Sequence, residues 1–129
     1  MANDAALGLL GLSRKAGRLA LGEDQVYEMV QTGKCRAIFM AKDIGDATRR
    51  KIMRHDEKVP VFTLETERMD LGYAIGMNGC AVCAVNDIGM ANAIADKLKS
   101  TSDKNAMAAQ RVLEKKTRMD SRKGKKKKK

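Results

Sequence analysis

The sequence predicts an α/β layered fold: a sheet of about four strands, largely parallel or mixed, between helices, with a basic C-terminal tail. Three observations carry this. Short apolar runs alternate with stretches of helical periodicity as far as residue 98. Residues 35–41, Cys-Arg-Ala-Ile-Phe-Met-Ala, are apolar at nearly every position, as in a strand covered on both faces. Charge is segregated: residues 1–98 hold 13 basic and 13 acidic side chains, so the net charge of +10 lies wholly in residues 99–129, with 13 basic and 3 acidic.

The elements follow in order. Residues 4–16 read as a helix with Leu9, Leu12 and Ala16 inward, flanked by Leu7 and Leu10, and ended by Gly17. Gly8 and Gly11 each weaken it by about 1 kcal/mol and permit a neighbour to approach closely. Arg14, Lys15 and Arg18 cluster before the next turn. Leu19-Ala20-Leu21 is a short strand, Gly22 a turn, and Glu23, Asp24 and Gln25 open a second helix whose stripe is Val26, Met29 and Val30. Gly33 stops that helix. After the strand at 35–41, residues 43–46 supply a turn and a cap for a third helix over 46–57. Ala47, Thr48 and Ile52 face inward there, and Arg50 and Arg54 form a solvated face. Pro60-Val61-Phe62-Thr63-Leu64 is the next strand, its proline tolerated at the edge position. A fourth helix over 66–75 buries Leu71, Ala74 and Ile75 and ends at Gly76; Met77-Asn78-Gly79 is a tight loop. Residues 80–85 form a buried strand, and Asp87 caps a fifth helix, 88–98, with Ile88, Ala91, Ile94, Ala95 and Leu98 as its stripe.

One domain, residues 1–98, is therefore expected, followed by a lysine-rich tail, 99–129. In the tail Ser100-Thr101-Ser102 is a linker, and 105–118 is a helix with a thin stripe of Met107, Ala108, Val112 and Leu113. Residues 120–129 have a composition that favours disorder. Such a tail attracts polyanions, and without Trp or Phe to enter lipid it suits nucleic acid better than membrane.

Composition narrows the function. Aromatics make up 3%, so the core is aliphatic with nine methionines as fillers. No apolar run reaches the length of a membrane span, and Met1-Ala2-Asn3-Asp4 has no signal-peptide pattern, so a cytoplasmic location is expected. Three cysteines, an odd number, suit a reducing compartment. Cys80 and Cys83 have CxxC spacing, but in a strand those positions face opposite sides of the sheet, away from any helix dipole. A zinc site would need Cys35 and His55 with no second close pair. No catalytic triad, phosphate loop or dinucleotide fingerprint occurs. The chain is expected to be no enzyme and to need no metal, cofactor or small-molecule substrate.

The turn into the second helix is the candidate site. The first turn of a helix presents unpaired N–H groups and partial positive charge, suited to phosphates or base edges. Acidic residues there also stabilise a helix with no ligand at all.

Several stretches together resemble a known family: Leu9-Leu10-Gly11-Leu12, then Leu19-Ala20-Leu21-Gly22-Glu23-Asp24-Gln25, Gly33-Lys34, Ala41-Lys42-Asp43 and Val59-Pro60-Val61. Leu71-Gly72-Tyr73-Ala74-Ile75-Gly76 and Asp87-Ile88-Gly89-Met90-Ala91 complete the set. The chain is similar to the kink-turn RNA-binding ribosomal-protein family of the 7Ae, 30e and Gadd45 type, in its bacterial YlxQ-like branch. The resemblance implies a three-layer α/β/α sandwich that binds structured RNA at one end of the sheet. It implies ribosomal RNA, the ribosome or other translation and transcription proteins as partners. The RNA-binding residues it implies are Gly22, Asp24, Gln25 and Glu28, the loop Met77-Asn78-Gly79, and Arg68 against phosphate. Arg18 and Glu23, beside that set, complete the candidate RNA-binding residues. Where the family has Asn-Glu and a Lys three positions on, this chain has Asp24, which can only accept, Gln25, which keeps an acceptor but loses the charge, and Glu28, which reverses the sign. Lys115, Lys116, Arg118, Arg122, Lys123, Lys125, Lys126, Lys127, Lys128 and Lys129 would add non-specific attraction. Gadd45-type relatives leave a second reading, a protein–protein interaction module on the same fold.

Overall fold

The computed structural model describes the backbone of residues 2–127 and the side chains of residues 3–122. Its elements are α1 (Ala2–Lys15), β1 (Leu19–Leu21), α2 (Gly22–Gln31), β2 (Ala37–Met40) and α3 (Asp46–Met53). They continue as β3 (Val61–Thr63), α4 (Arg68–Ile75), β4 (Val82–Val85), α5 (Ile88–Leu98) and α6 (Asp103–Lys127). The four strands form one mixed sheet in the order β1-β4-β2-β3. β4 is antiparallel to both neighbours, pairing Leu21 with Cys83 and Met40 with Val82, and β3 is parallel to β2.

The sheet separates two cores. One face carries Phe39, Phe62, Cys83 and Val85, packed by Leu10 of α1, Leu71 of α4, Ile94 and Leu98 of α5 and Val112 of α6. The other carries Ile38, Met40, Val82 and Ala84, packed by Val26 and Val30 of α2 and Ile52 of α3. This is the three-layer α/β/α sandwich. β2 and β4 are buried at every position because both of their faces are covered. Phe39 and Phe62 stack across neighbouring strands with ring centroids 5.2 Å apart.

Local expectations hold where one residue decides them. The Asp87 carboxylate accepts the Met90 N–H at 2.8 Å and starts α5. Gly76, at φ 80°, turns the chain out of α4. Gly11 lets α1 lie directly on α4, since a Cβ there would sit 2.8 Å from the Ala74 carbonyl oxygen; Gly8 has no neighbour within 4 Å.

Other expectations are corrected. α1 buries Ala6, Leu10 and Ser13, while Leu12 is 54% exposed. Leucines ring that helix, so the neighbours choose the face, and the Ser13 hydroxyl is accommodated by donating to the Leu9 carbonyl at 2.8 Å. α3 ends at Met53, with Ile52 as its buried residue and Ala47 exposed. Asp43 does not cap α3; it bonds Arg68. Cys80 and Cys83 belong to the same core, because Cys80 precedes β4 and the backbone bends between them.

The largest correction concerns the C-terminal segment. α6 is one continuous helix from Asp103 to Lys127, including residues whose composition favours disorder; Lys128 and Lys129 lie outside the described residues. Its first half is core rather than appendage, with Asn105, Ala108, Ala109 and Val112 buried. β3 is an edge strand, whose free backbone groups invite further pairing. Asn105 closes that edge: its Oδ1 accepts the Thr63 N–H at 3.1 Å, and its Nδ2 donates to the Thr63 carbonyl at 2.8 Å. Arg111 then pins α6 to the loop after α3, through the Asp56 carboxylate at 3.1 Å and carbonyl at 2.5 Å. Replacing Asn105 by Ala leaves both Thr63 groups without partners in a half-buried site, so urea unfolding should show a loss of about 2 kcal/mol.

Candidate nucleic-acid interface

Strand directions decide what meets at the sheet ends. Because β4 runs against β1 and β2, the start of β4 lies beside the ends of β1 and β2, and the end of β3 lies with them. Four connections therefore converge: the turn into α2, the loops after β2 and β3, and the loop before β4.

The turn into α2 is abrupt because Gly22 takes φ 84°, a left-handed conformation that suits glycine. Leu21 pairs with Cys83 across β1 and β4, so this turn lies beside the loop before β4. The residue before α2, Leu21, has no side chain to cap the helix. Instead the Gln25 Oε1 accepts the Leu21 N–H at 2.9 Å, and its NH2 group has no hydrogen-bond partner among the described residues. Glu23 leans toward α3 and meets Lys51 at 3.4 Å. Asp24 and Glu28 are exposed on the outer face of α2.

The neighbouring loops are laced together. The Asn3 amide at the start of α1 bonds the buried Thr66 hydroxyl, and the Thr66 carbonyl accepts the Lys42 N–H at 2.8 Å. Arg68 donates to Asp43 twice, from its backbone N–H at 2.7 Å and its Nε at 3.3 Å. Desolvation raises the Asp43 pKa, but these Arg68 bonds and charge outweigh it and hold the carboxyl below its usual range. The contact is thus complete above the ordinary value of 3.8 and weakens only as pH falls through the lower folded value. Arg68 is an anchored cation, half satisfied by a carboxylate.

The loop Met77-Asn78-Gly79 folds back on α4. The Gly72 carbonyl accepts the Met77 N–H at 2.7 Å, and the Arg68 carbonyl accepts the Cys80 N–H at 3.0 Å. Gly79, at φ 91°, passes so close to Gly72 that a Cβ on Gly72 would stand 2.6 Å from the Gly79 Cα.

The structure brings together Gly22, Glu23, Asp24, Gln25, Arg68, Met77, Asn78 and Gly79, with Glu28 one turn further along α2. It does not bring Arg18 to them. Arg18 precedes β1, where its carbonyl accepts the Asn86 N–H after β4, at the opposite end of the sheet. Lys42 joins the site and was legible only as part of Ala41-Lys42-Asp43. Of the α6 cations, Lys116 is paired with Asp120 at 2.6 Å. The side chains of Lys123 and of residues 125–129 lie outside the described residues.

Burial pushes the Cys35 thiol up to about 12 and also raises Cys80 and Cys83, the latter further by its neighbour Cys80. Among the described residues no group of three or more His, Cys, Asp or Glu could hold a metal ion, and no helix is long and apolar enough to cross a membrane.

Residues 4–95 match the model of the ribosomal protein L7Ae/L30e/S12e/Gadd45 family. The chain belongs to that family. Its likeness is to the YlxQ-like branch: it is 33% identical over 86 residues to the RNA-binding protein YlxQ of Bacillus subtilis (strain 168), spanning 65% of this chain and 85% of that one. It is 32% identical over 78 residues to the large ribosomal subunit protein eL30 of Aeropyrum pernix, covering 58% and 78% of the two chains. A solved structure of a protein with unknown function from Bacillus halodurans C superposes with a TM-score of 0.69 at 32% identity, over 74% of this chain and 97% of that one. The Giardia lamblia 15.5kD RNA binding protein shares the fold, with a TM-score of 0.59 at 18% identity over 75% and 84% of the two chains. The family match stops short of α6.

Proposed function

We propose that this protein binds structured RNA of the kink-turn kind as a non-enzymatic ribosome-associated factor, with ribosomal RNA as its first target. The observation that carries the reading is the convergence of the α2 turn with the loop before β4, which the antiparallel pairing of Leu21 with Cys83 sets side by side. That end offers the unpaired amides of a helix start, an outward amide donor on Gln25 and an acceptor on Asp24. Such donors and acceptors suit guanine edges in an opened groove. The RNA-binding names of the YlxQ relative and the Giardia protein point the same way.

The test is binding of the full chain to a kink-turn RNA and to the same RNA with its tandem sheared G·A pairs replaced. Tighter binding to the first is expected, and equal affinity for both would sink the selective reading. Glu28 is a built-in weakness, since a carboxylate there faces the side where phosphate would run. Glu28→Lys should tighten binding and steepen the dependence of log affinity on log salt by about one unit, measured by fluorescence anisotropy.

A protein–protein interaction role has one observation in its favour: Leu12, Met69 and Tyr73, at 54%, 62% and 88% exposure, lie on or beside the α1–α4 face. Partners that copurify and resist ribonuclease would favour that role; partners lost with ribonuclease favour RNA.

A further inference from the structure

The recognition end is short of positive charge. Arg68 is engaged by Asp43 and Lys51 by Glu23, and exposed Lys42 stands against the exposed carboxylates of Asp24, Glu28, Glu65 and Glu67. Most of the phosphate attraction must come from elsewhere on the molecule. At the opposite end of the sheet lies an open cleft of about 440 Å3, between the entry to β2, residues 57–60 and α6.

Arg36 faces this cleft from the start of β2, and Lys115 and Arg118 face it from α6. Arg111, Lys115, Arg118 and Arg122 recur at steps of four, three and four residues, which sets them on one side of the helix. Arg111 is engaged by Asp56. Arg36, Lys115, Arg118 and Arg122 form no ion pair among the described residues. The carboxylates lining the cleft, Glu57 and Glu114, form none with them either. The Arg36 Nε is buried with no hydrogen-bond partner. Partial desolvation, and then the charges of Arg36, Arg122 and Arg118, hold the Lys115 ammonium below its usual range. A buried guanidinium N–H without an acceptor is costly, and so is a group of mutually repelling cations. A chain of phosphates relieves the repulsion, since each phosphate supplies acceptors and charge at one step of the stripe.

We propose that this cleft is a second RNA-binding site, in which Arg36, Lys115 and Arg118 hold the sugar-phosphate backbone of a segment flanking the one read at Gly22 and Gln25. This rests on the RNA-binding reading above and supplies the attraction that the recognition end lacks. The ten residues of α2 run between the two sites, a length of about 15 Å, so one folded RNA can reach both.

The test uses the full chain, the kink-turn RNA and its G·A-replaced counterpart, with affinities measured over a salt series. The variants are Arg36→Gln/Lys115→Gln/Arg118→Gln and Lys115→Glu alone, the latter chosen because Lys115 lies past Val112, the last buried apolar residue of α6 among the described residues, and should leave the fold intact by circular dichroism. The triple variant should lower the salt slope by two to three units, roughly one per lost phosphate contact. Both RNAs should weaken by the same factor, on the order of tenfold or more at low salt, with their ratio preserved. Lys115→Glu should weaken both RNAs in the same direction. Slope and affinity unchanged in both variants would overturn the second site. Loss of G·A discrimination in the wild-type chain, with the slope change intact, would instead overturn the reading at Gly22 and leave this one standing. No binding of either RNA by the wild-type chain overturns both.

Discussion

Truncation after Leu98 is expected to destabilise this protein and promote its aggregation, whereas truncation after Arg118 should leave its unfolding midpoint nearly unchanged. The first cut removes Ala108, Ala109 and Val112 from the core and Asn105 from the edge of β3. Two alanines and a valine, with the surface they cover, correspond to about 3–5 kcal/mol of lost apolar burial. That is a large share of the roughly 5–15 kcal/mol by which a domain of this size is held folded. The same cut bares Thr63 on an edge strand whose flank is apolar, a template for pairing with another chain. The second cut keeps every buried residue of α6, together with Arg111 and its bonds to Asp56. It removes residues 119–129, which carry much of the positive charge. Thermal melts and sedimentation of the two truncations distinguish a structural helix from a charged appendage. A stable, monodisperse protein ending at Leu98 would show that α6 is dispensable to the fold.

The C-terminal helix also shows where reading from sequence stops. Its apolar stripe is thin, and what makes it structural is one amide side chain aligned with the backbone of a strand 42 residues earlier in the chain. No periodicity signals such a pairing. α5 was legible for the opposite reason: Asp87 and the stripe Ala91, Ile94, Ala95 and Leu98 are local signals that agree with one another. The buried strands β2 and β4 were legible from unbroken apolar runs, but their register was not. Arg18 lies apart from the Gly22 end because proximity in sequence hides direction: a three-residue strand about 10 Å long stands between them. Within the site, Gly22 and the Met77-Asn78-Gly79 loop were visible as breaks in pattern. The bond from Leu21 to Gln25 was not, since Gln at that position fits capping and exposure equally.

Gly72→Ala should disable the recognition end, while the same substitution at Gly8 should be neutral or stabilising. Both glycines lie inside helices, where alanine is intrinsically favoured by about 1 kcal/mol. At Gly8 the new methyl group meets nothing within 4 Å, so the helix gain is realised. At Gly72 it would lie 2.6 Å from the Gly79 Cα and 2.8 Å from the Gly79 carbonyl carbon. Those are backbone atoms, so no side chain can swing aside. The loop is also clamped, by Met77 N–H on the Gly72 carbonyl and Cys80 N–H on the Arg68 carbonyl. The methyl must break that clamp or push α4 off the core, where Leu71 and Ile75 are buried on either side. Overpacking of this kind costs about 1–3 kcal/mol, and here it displaces the loop that rests beside Gly22. RNA binding should therefore lose discrimination between the kink-turn and its G·A-replaced counterpart, while the salt slope, which the proposed second site assigns to cations on α6 and at Arg36, stays near that of the wild type. A G72A protein that melts normally and still discriminates would show that the loop before β4 takes no part in reading RNA.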